Sequence, residues 1–270
     1  MPLSCVYTDL DGTLLGPRGS LFRGPDGAFS INQARALQAC DRAGVEVVIM
    51  SGRRESTVRS DARLLGQDSY IYEAGCAVML DGEQNYLTGD WVPDDEGRSP
   101  AQRMLDEGIV DLLFDRFAPL LEWHSPWHHE RVFSHLFRGG VDVEEANALL
   151  REHGHDDLRF LDNGTIARPV EGVEIAHAYH LVPGGASKAK GVAFHIQARG
   201  YAPEDCIAIG DSIEDLETAA SVGRFFCVAN GPERDPALRE ALARFPNASV
   251  TEEAMGDGFY EAVVSTLATR

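Results

Sequence analysis

Three short apolar runs in this chain stop abruptly at a group able to do chemistry. Cys5–Thr8 runs into Asp9-Leu10-Asp11-Gly12-Thr13, Val45–Met50 into Ser51-Gly52-Arg53-Arg54, and Cys206–Ile209 into Gly210-Asp211-Ser212. Short, largely apolar runs bounded by turn residues read as strands buried on both faces, the pattern of a parallel sheet. In an open parallel sheet the C-terminal strand ends lie along one edge, where ligands bind. Neighbouring strands would therefore bring these groups together although they are far apart in sequence. Asp9 and Asp11, one residue apart, repel each other unless a cation or a shared proton intervenes. They read as a metal-dependent catalytic pair, against the alternative of an Asp-rich turn, since Asp and Gly favour turns in any case.

The segments between these strands support that architecture. Gly16 to Gly27, rich in Gly and Pro, reads as a flap or hairpin. Ser30 with Gln33 predicts a capping box opening a helix that runs to Arg42 and stops at Gly44. A second helix begins near Ser56, and Tyr70-Ile71-Tyr72 predicts a third strand. Strand alternating with helix implies a parallel sheet with helical crossovers. The character changes after Asp81. Ser99-Pro100-Ala101-Gln102 announces a helix, continued by the spacing of Leu105, Ile109, Leu112, Leu113 and Phe117. Strands are expected at Val132–Phe137 and Val173–Leu181, a helix capped by Asp142 and Glu145 lies between them, and Asn163-Gly164 predicts a hairpin. This middle third, 82–182, therefore reads as a smaller α+β domain inserted into a core made of 1–81 and 183–270. After Pro183-Gly184-Gly185, a return hinge, a helix from Ser187 to Arg199, a fourth strand, a helix over Ile213–Ala220, a fifth strand (Phe225–Ala229) and two further helices complete the core.

The net charge of −19 argues against nonspecific binding to nucleic acid or anionic membranes, which needs basic patches. It also means that an anionic substrate requires a local positive site. No apolar run is long enough to span a bilayer, and the N-terminus, with no basic region followed by a long apolar stretch, is not expected to act as a secretory signal. The five widely spaced cysteines, mostly in apolar segments, read as reduced core residues of a cytoplasmic protein. Arg53 and Arg54 between a strand and a helix, and Lys188 in the first turn of a helix, are the positive groups of interest. A cation at a helix start opposes the dipole, and becomes favourable when an anion binds between the two. Ser212 and Asp215 have the spacing of a helix cap, but a cap does not explain Asp211, which follows an apolar strand directly. A third carboxylate beside Asp9 and Asp11 would complete the oxygen shell that Mg²⁺ prefers.

Asp9-Leu10-Asp11-Gly12-Thr13, Ser51-Gly52-Arg53, Lys188 and Gly210-Asp211-Ser212 through Asp215 resemble, in order, the four motifs of the haloacid dehalogenase superfamily. The insertion between the second and third motifs resembles the cap of its Cof-type branch, which includes sucrose-phosphate and mannosyl-3-phosphoglycerate phosphatases. The resemblance implies an α/β fold, a Rossmannoid parallel-sheet core with an inserted α+β cap. It implies a Mg²⁺-dependent phosphatase acting on a small phosphorylated metabolite, a sugar or polyol phosphate. It implies Asp9 as nucleophile, Asp11 as acid and base, and phosphate contacts from Gly12, Thr13, Ser51, Gly52 and Lys188. Asp9, the Asp11 backbone carbonyl and Asp211 would hold Mg²⁺, with Arg53, Ser212, Asp215 and Asn230 in support. A phosphomutase on the same scaffold and a non-catalytic sugar-phosphate binding protein are the alternatives. Two positions depart from the branch: Glu214 stands where Asn is usual, and Glu73-Ala74-Gly75-Cys76 where Asn-Gly-Ala is usual.

In such an architecture the cap selects the leaving group. His124, Trp127, His128, His129, Arg131, His135, Arg138, His177 and Tyr179 are the candidates. The His-rich loop lacks a Cys partner and clean ligand spacing, so hydrogen bonding to sugar hydroxyls or simple exposure is favoured over zinc. His177 and Tyr179 share a strand face, where core packing and substrate contact are equally open. Arg131 or Arg138 would meet a second anionic group or pair with a nearby acid.

Overall fold

A computed structural model describes residues 3–166 and 168–269. β1 (Cys5–Thr8) is followed by α1 (Asn32–Ala43), β2 (Glu46–Met50), α2 (Glu55–Leu65) and β3 (Tyr70–Tyr72). Gly44 and Gly66 end the two helices with φ of 67° and 72°, a left-handed backbone that glycine enters without a Cβ penalty. β1, β2 and β3 pair in parallel. The chain then doubles back through β4 (Ala77–Leu80) and β5 (Glu83–Tyr86), both antiparallel, so the large sheet continues past Asp81.

α3 (Pro100–Asp106), α4 (Ile109–Phe117), β6 (Leu121–Trp123), β7 (His135–Gly139), α5 (Val143–Glu152), β8 (Leu158–Thr165) and β9 (His177–Pro183) follow. Their strands form a separate antiparallel sheet in the order β6-β7-β9-β8. The chain returns through α6 (Lys188–Arg199), β10 (Cys206–Gly210), α7 (Ile213–Leu216), β11 (Arg224–Cys227), α8 (Asn230–Arg234), α9 (Pro236–Leu242), β12 (Ala248–Val250) and α10 (Met255–Ala268). The large sheet has the order β12-β11-β10-β1-β2-β3-β4-β5. The fold is α/β: a Rossmannoid, mostly parallel core carrying a smaller α+β cap.

This order decides where the site lies. From β1 the chain steps one way to β2 and β3, and later the other way to β10, β11 and β12. The strand order thus reverses at β1, and the crevice opens outside its C-terminal end. β1 pairs with β10 on one side and β2 on the other, through Thr8↔Ile209 and Thr8↔Ile49. The residues that follow these three strands therefore share one edge. Alternate side chains of β2 fill both flanks: Val47 and Ile49 join the cluster under α1 and α10, while Val48 and Met50 join the one under α6. A third cluster lies between the cap sheet and α3–α5.

Several local expectations are corrected. Ser30 and Gln33 make no capping box: α1 starts at Asn32, and the buried Gln33 Nε2 instead donates to the Arg23 carbonyl of the flap at 3.0 Å. The helix expected from Ser99 to Phe117 breaks at Gly108 (φ 74°) into α3 and α4. The strand expected from Val132 begins at His135, because the Val132 and Phe133 amides are engaged by Glu73. The strand expected from Val173 begins at His177. Asn163-Gly164 does not form a hairpin. Both lie within β8, as an irregularity between Asp162 and Thr165 while pairing with β9 continues; Gly164 takes φ 92° and its N–H donates to Asp162 Oδ1.

Candidate active site

The crevice gathers the strand-end carboxylates around one lysine. Lys188 opens α6, whose start is fixed by the Ser187 hydroxyl accepting the Lys190 N–H. Its side chain is 2% exposed. Nζ donates to Asp9 Oδ1 at 2.8 Å and to Asp215 Oδ1 at 2.7 Å. Burial alone would favour the neutral amine, but Asp215 and Asp9 outweigh it and hold the pKa well above the ordinary lysine value. The carboxylates carry the opposite strain. Burial raises Asp9 well above the usual range, against the pull of Lys188 and reinforced by Asp215 and Asp211. Burial and then Asp215 push Asp211 up to about 7. Asp9, Asp211 and Asp215 place carboxylate oxygens within 4.8 Å of one another. Three acids thus face one ammonium. The excess negative charge and the all-oxygen donor set fit a hard divalent cation such as Mg²⁺.

The loops around this centre are tightly specified. A Cβ at Gly12, where φ is 84°, would lie 2.4 Å from Asp211 Oδ2, so the turn after Asp11 can approach Asp211 only with glycine there. Asn230 ties the same parts together: Nδ2 donates to the Gly12 carbonyl (3.0 Å) and Asp211 Oδ2 (3.2 Å), and Oδ1 accepts the Met255 N–H. Ser212 and Asp215 form a true capping box at α7. Asp215 therefore closes a helix end with Oδ2 while Oδ1 reaches Lys188. Ser51 and Thr13 are buried, and Thr13 Oγ1 has no hydrogen-bond partner.

Asp11 does not join the carboxylate cluster. Its two side-chain oxygens accept from Arg53 Nε and Nη2 at 2.7 and 2.6 Å, and Arg53 Nη1 pairs with Asp61. Asp215, read from sequence as support, joins it instead.

The two departures noted in the sequence have distinct fates. Ala74, where the side-chain amide is lost, is fully buried with φ 58° and its N–H donates to the Ser51 carbonyl at 3.1 Å, while the preceding Glu73, also fully buried, anchors the cap to the core: its carboxylate accepts from Val132 N (2.9 Å), Phe133 N (3.0 Å) and Ser134 Oγ (2.7 Å). Glu214 is buried with both carboxylate oxygens unpartnered, and burial is the main cause pushing it up to about 7.

The cap candidates also separate. Tyr179 packs in the cap core and its hydroxyl serves the Val141 backbone. His177 pairs with Asp162, and His135 donates Nε2–H to the Ala101 carbonyl. Trp127 and His129 are exposed. Among the described residues the His-rich loop forms no cluster of three metal-ligating side chains. Arg131 Nη2 donates to the Gly52 carbonyl at 2.5 Å. His180, not singled out in the sequence, is buried against Gly52: a Cβ there would lie 2.7 Å from His180 Nε2. Alternation along β9 contained this signal, since His180 lies on the face opposite Tyr179, but the sequence does not say which face meets the core.

Comparison with known proteins gives the family and the fold. Residues 6–92 and 175–240, more than half of the chain, match the model of the haloacid dehalogenase-like hydrolases. A phosphoglycolate phosphatase of Methanoculleus marisnigri is 28% identical over 264 residues, covering 97% of this chain and 95% of that protein. One of Aeropyrum pernix is 28% identical, covering 91% and 89%. In structure, the sucrose-phosphatase of Synechocystis sp. PCC6803, solved with sucrose and phosphate, superposes with a TM-score of 0.68 at 14% identity, covering 98% of both chains. A Thermoplasma acidophilum protein gives 0.66 at 16%, also covering 98% of both. At these identities the structural likeness bears on the fold. No helix among the described residues is long and apolar enough to cross a membrane.

Proposed function

The chain belongs to the haloacid dehalogenase-like hydrolases and is a phosphatase, and we propose that it hydrolyses a small phosphate monoester with Mg²⁺, through phosphorylation of Asp9. The observation that carries this reading is the meeting of Lys188 with Asp9 and Asp215, in the same cluster as Asp211. Asp9, Asp211 and Asp215 would hold the metal, together with the Asp11 backbone carbonyl. Bound Mg²⁺ would offset the repulsion between a phosphate dianion and an attacking carboxylate.

The chain's own groups divide the remaining work. An Asp9 carboxylate oxygen bonds to phosphorus as the ester P–O bond breaks, and Lys188 neutralises charge on the transferred group. Thr13, whose buried hydroxyl lacks a partner, and Ser51 offer hydrogen bonds to phosphate oxygens. Asp11 gives a proton to the leaving oxygen, then takes one from the water that attacks phosphorus and frees Asp9 with release of phosphate. For either transfer the Asp11 carboxyl must leave the Arg53 fork and turn toward Asp9. The relatives named phosphoglycolate phosphatase place phosphorylated hydroxy acids beside sugar and polyol phosphates as substrates to test.

A phosphate-release screen over many esters tests this, run with Mg²⁺ and with chelator. Release that needs the metal and is lost in Asp9→Asn is expected. No release from any ester, turnover indifferent to chelator, or comparable turnover by Asp9→Asn would overturn it.

A further inference from the structure

The cap sheet has two unlike faces. On one, Trp123, Phe137, Phe160, Tyr179 and Leu181 pack beneath α3–α5. The pairing register fixes what occupies the other. One cross-strand row there is His124, Leu136, His180 and Leu161; the next is Glu122, Arg138 and Ala178. This face looks onto the core, since Val182 and Leu161 pack with its apolar cluster and His180 lies on Gly52, one residue from Ser51. It roofs the crevice.

A roof needed only to exclude water would be apolar. This one carries two arginines, one of them with unspent hydrogen-bond donors. Arg131 is occupied: Nη2 donates to the Gly52 carbonyl, Nε to Ser134 Oγ, and His180 Nδ1 is 3.4 Å from Nη2. Arg138 is not. Nη2 pairs with Glu122 Oε1 at 2.5 Å, but Nε and Nη1 are buried with no partner, as is Nδ1 of His124 in the neighbouring row. Buried guanidinium donors left unmade are costly, so their retention points to an acceptor supplied from outside the chain. The surroundings are positive: burial, and then Arg138, Arg168 and Arg131, push the His124 imidazole down to about 4. In a chain of net charge −19, such a patch beside a phosphate site is a local exception.

We infer that this roof selects phosphate monoesters whose leaving group carries a second anionic group, held by Arg138 and His124. The inference rests on the phosphatase reading and names the substrate class of the same site. The anion is a carboxylate or a second phosphate, both of which accept from guanidinium donors. The Arg138 row lies one row beyond His180, about 7 Å along the strand. This suits a leaving group of a few carbons extending from a phosphate seated at Lys188.

The test compares esters matched except for the anion: 3-phosphoglycerate with glycerol 3-phosphate, and fructose 1,6-bisphosphate with fructose 6-phosphate. p-Nitrophenyl phosphate is the control for chemistry alone. The anionic member of at least one pair is expected to have a kcat/KM about tenfold or more above its partner, because a site built for a polar group rejects the analogue lacking it. Arg138→Met should bring that ratio toward one, mainly through KM, and Arg138→Lys should restore part of it. A preference confined to one pair identifies the anion as carboxylate or phosphate. Equal or reversed preference in both pairs, or a ratio unchanged by Arg138→Met, overturns the inference. Equilibrium affinities of the same pairs for Asp9→Asn with Mg²⁺ provide a readout independent of turnover. Failure to hydrolyse any ester, p-nitrophenyl phosphate included, counts against the phosphatase reading, whereas equal affinities within both pairs count against the roof.

Discussion

Replacing Lys188 by methionine keeps the apolar stem and removes the one ammonium among three carboxylates. Two charge-assisted hydrogen bonds, at 2.8 and 2.7 Å, disappear from a side chain that is 2% exposed. Removing one partner of a buried ionic set leaves uncompensated charge and costs about 3–5 kcal/mol. In a chain of this size each kcal/mol moves Tm by about 2–4 °C, so Tm should fall by roughly 6–20 °C. The sign of a second effect also follows. With the ammonium gone, the acid cluster is more negative and should hold a divalent cation more tightly, so saturating Mg²⁺ should raise Tm more in the variant than in the wild type. Turnover should drop by about 10²–10³ or more, the range for losing one preorganised charge stabiliser. Thermal melts with and without Mg²⁺ read the first two effects, and phosphate release the third. A Tm within a degree of wild type, with an identical response to Mg²⁺, would show that Lys188 does not neutralise this cluster and would refute the reasoning.

Gly12→Ala should cost about 1–2 kcal/mol, from the positive φ that alanine resists. It should also weaken Mg²⁺ binding measured by calorimetry, because the new methyl group would meet Asp211 Oδ2. His135, pushed down to about 4 chiefly by burial, stabilises the fold as the neutral ring. Its contribution is complete above the unfolded value of about 6.5 and is lost as pH falls toward about 4, up to about 3 kcal/mol; His135→Gln should flatten the fall in stability over that window in urea melts. Glu73→Gln faces at least one of three donors with an amide that cannot accept, at a cost of about 1–3 kcal/mol. Faster hydrogen exchange at the Val132 and Phe133 amides should accompany it, and unchanged protection would remove Glu73 as the anchor of the cap.

The parallel core could be read from the sequence because each of its central strands is a short apolar run ending in a functional group. Asp9, Ser51 and Asp211 needed only the order β10-β1-β2 to converge. What escaped lacked such a signal. β5, Glu83-Gln84-Asn85-Tyr86, is an edge strand with polar, largely exposed side chains, recognisable only by its ladder to β4. β12 is three residues long at the opposite edge. Asn163-Gly164 carried the strongest turn propensity in the cap, yet β9 offers pairing on both sides of it, and a local irregularity absorbs the glycine's φ. The cap's contribution turned on one binary choice, which face of β9 meets helices and which meets the crevice. Tyr179 and His180 are neighbours in sequence and serve opposite faces, and periodicity gives the alternation without its direction. The Asp11–Arg53 fork was likewise hidden, because it depends on rotamers at the ends of two strands.

The central claim is that Asp9 receives the phosphoryl group. Acid-quenched Asp11→Asn, mixed with Mg²⁺ and an ester that the wild type hydrolyses, should carry one phosphoryl adduct by intact mass, and peptide mapping should place it on Asp9. An unmodified protein under conditions of wild-type turnover, with no adduct in any quenched variant, or an adduct mapped to another residue, would contradict the account.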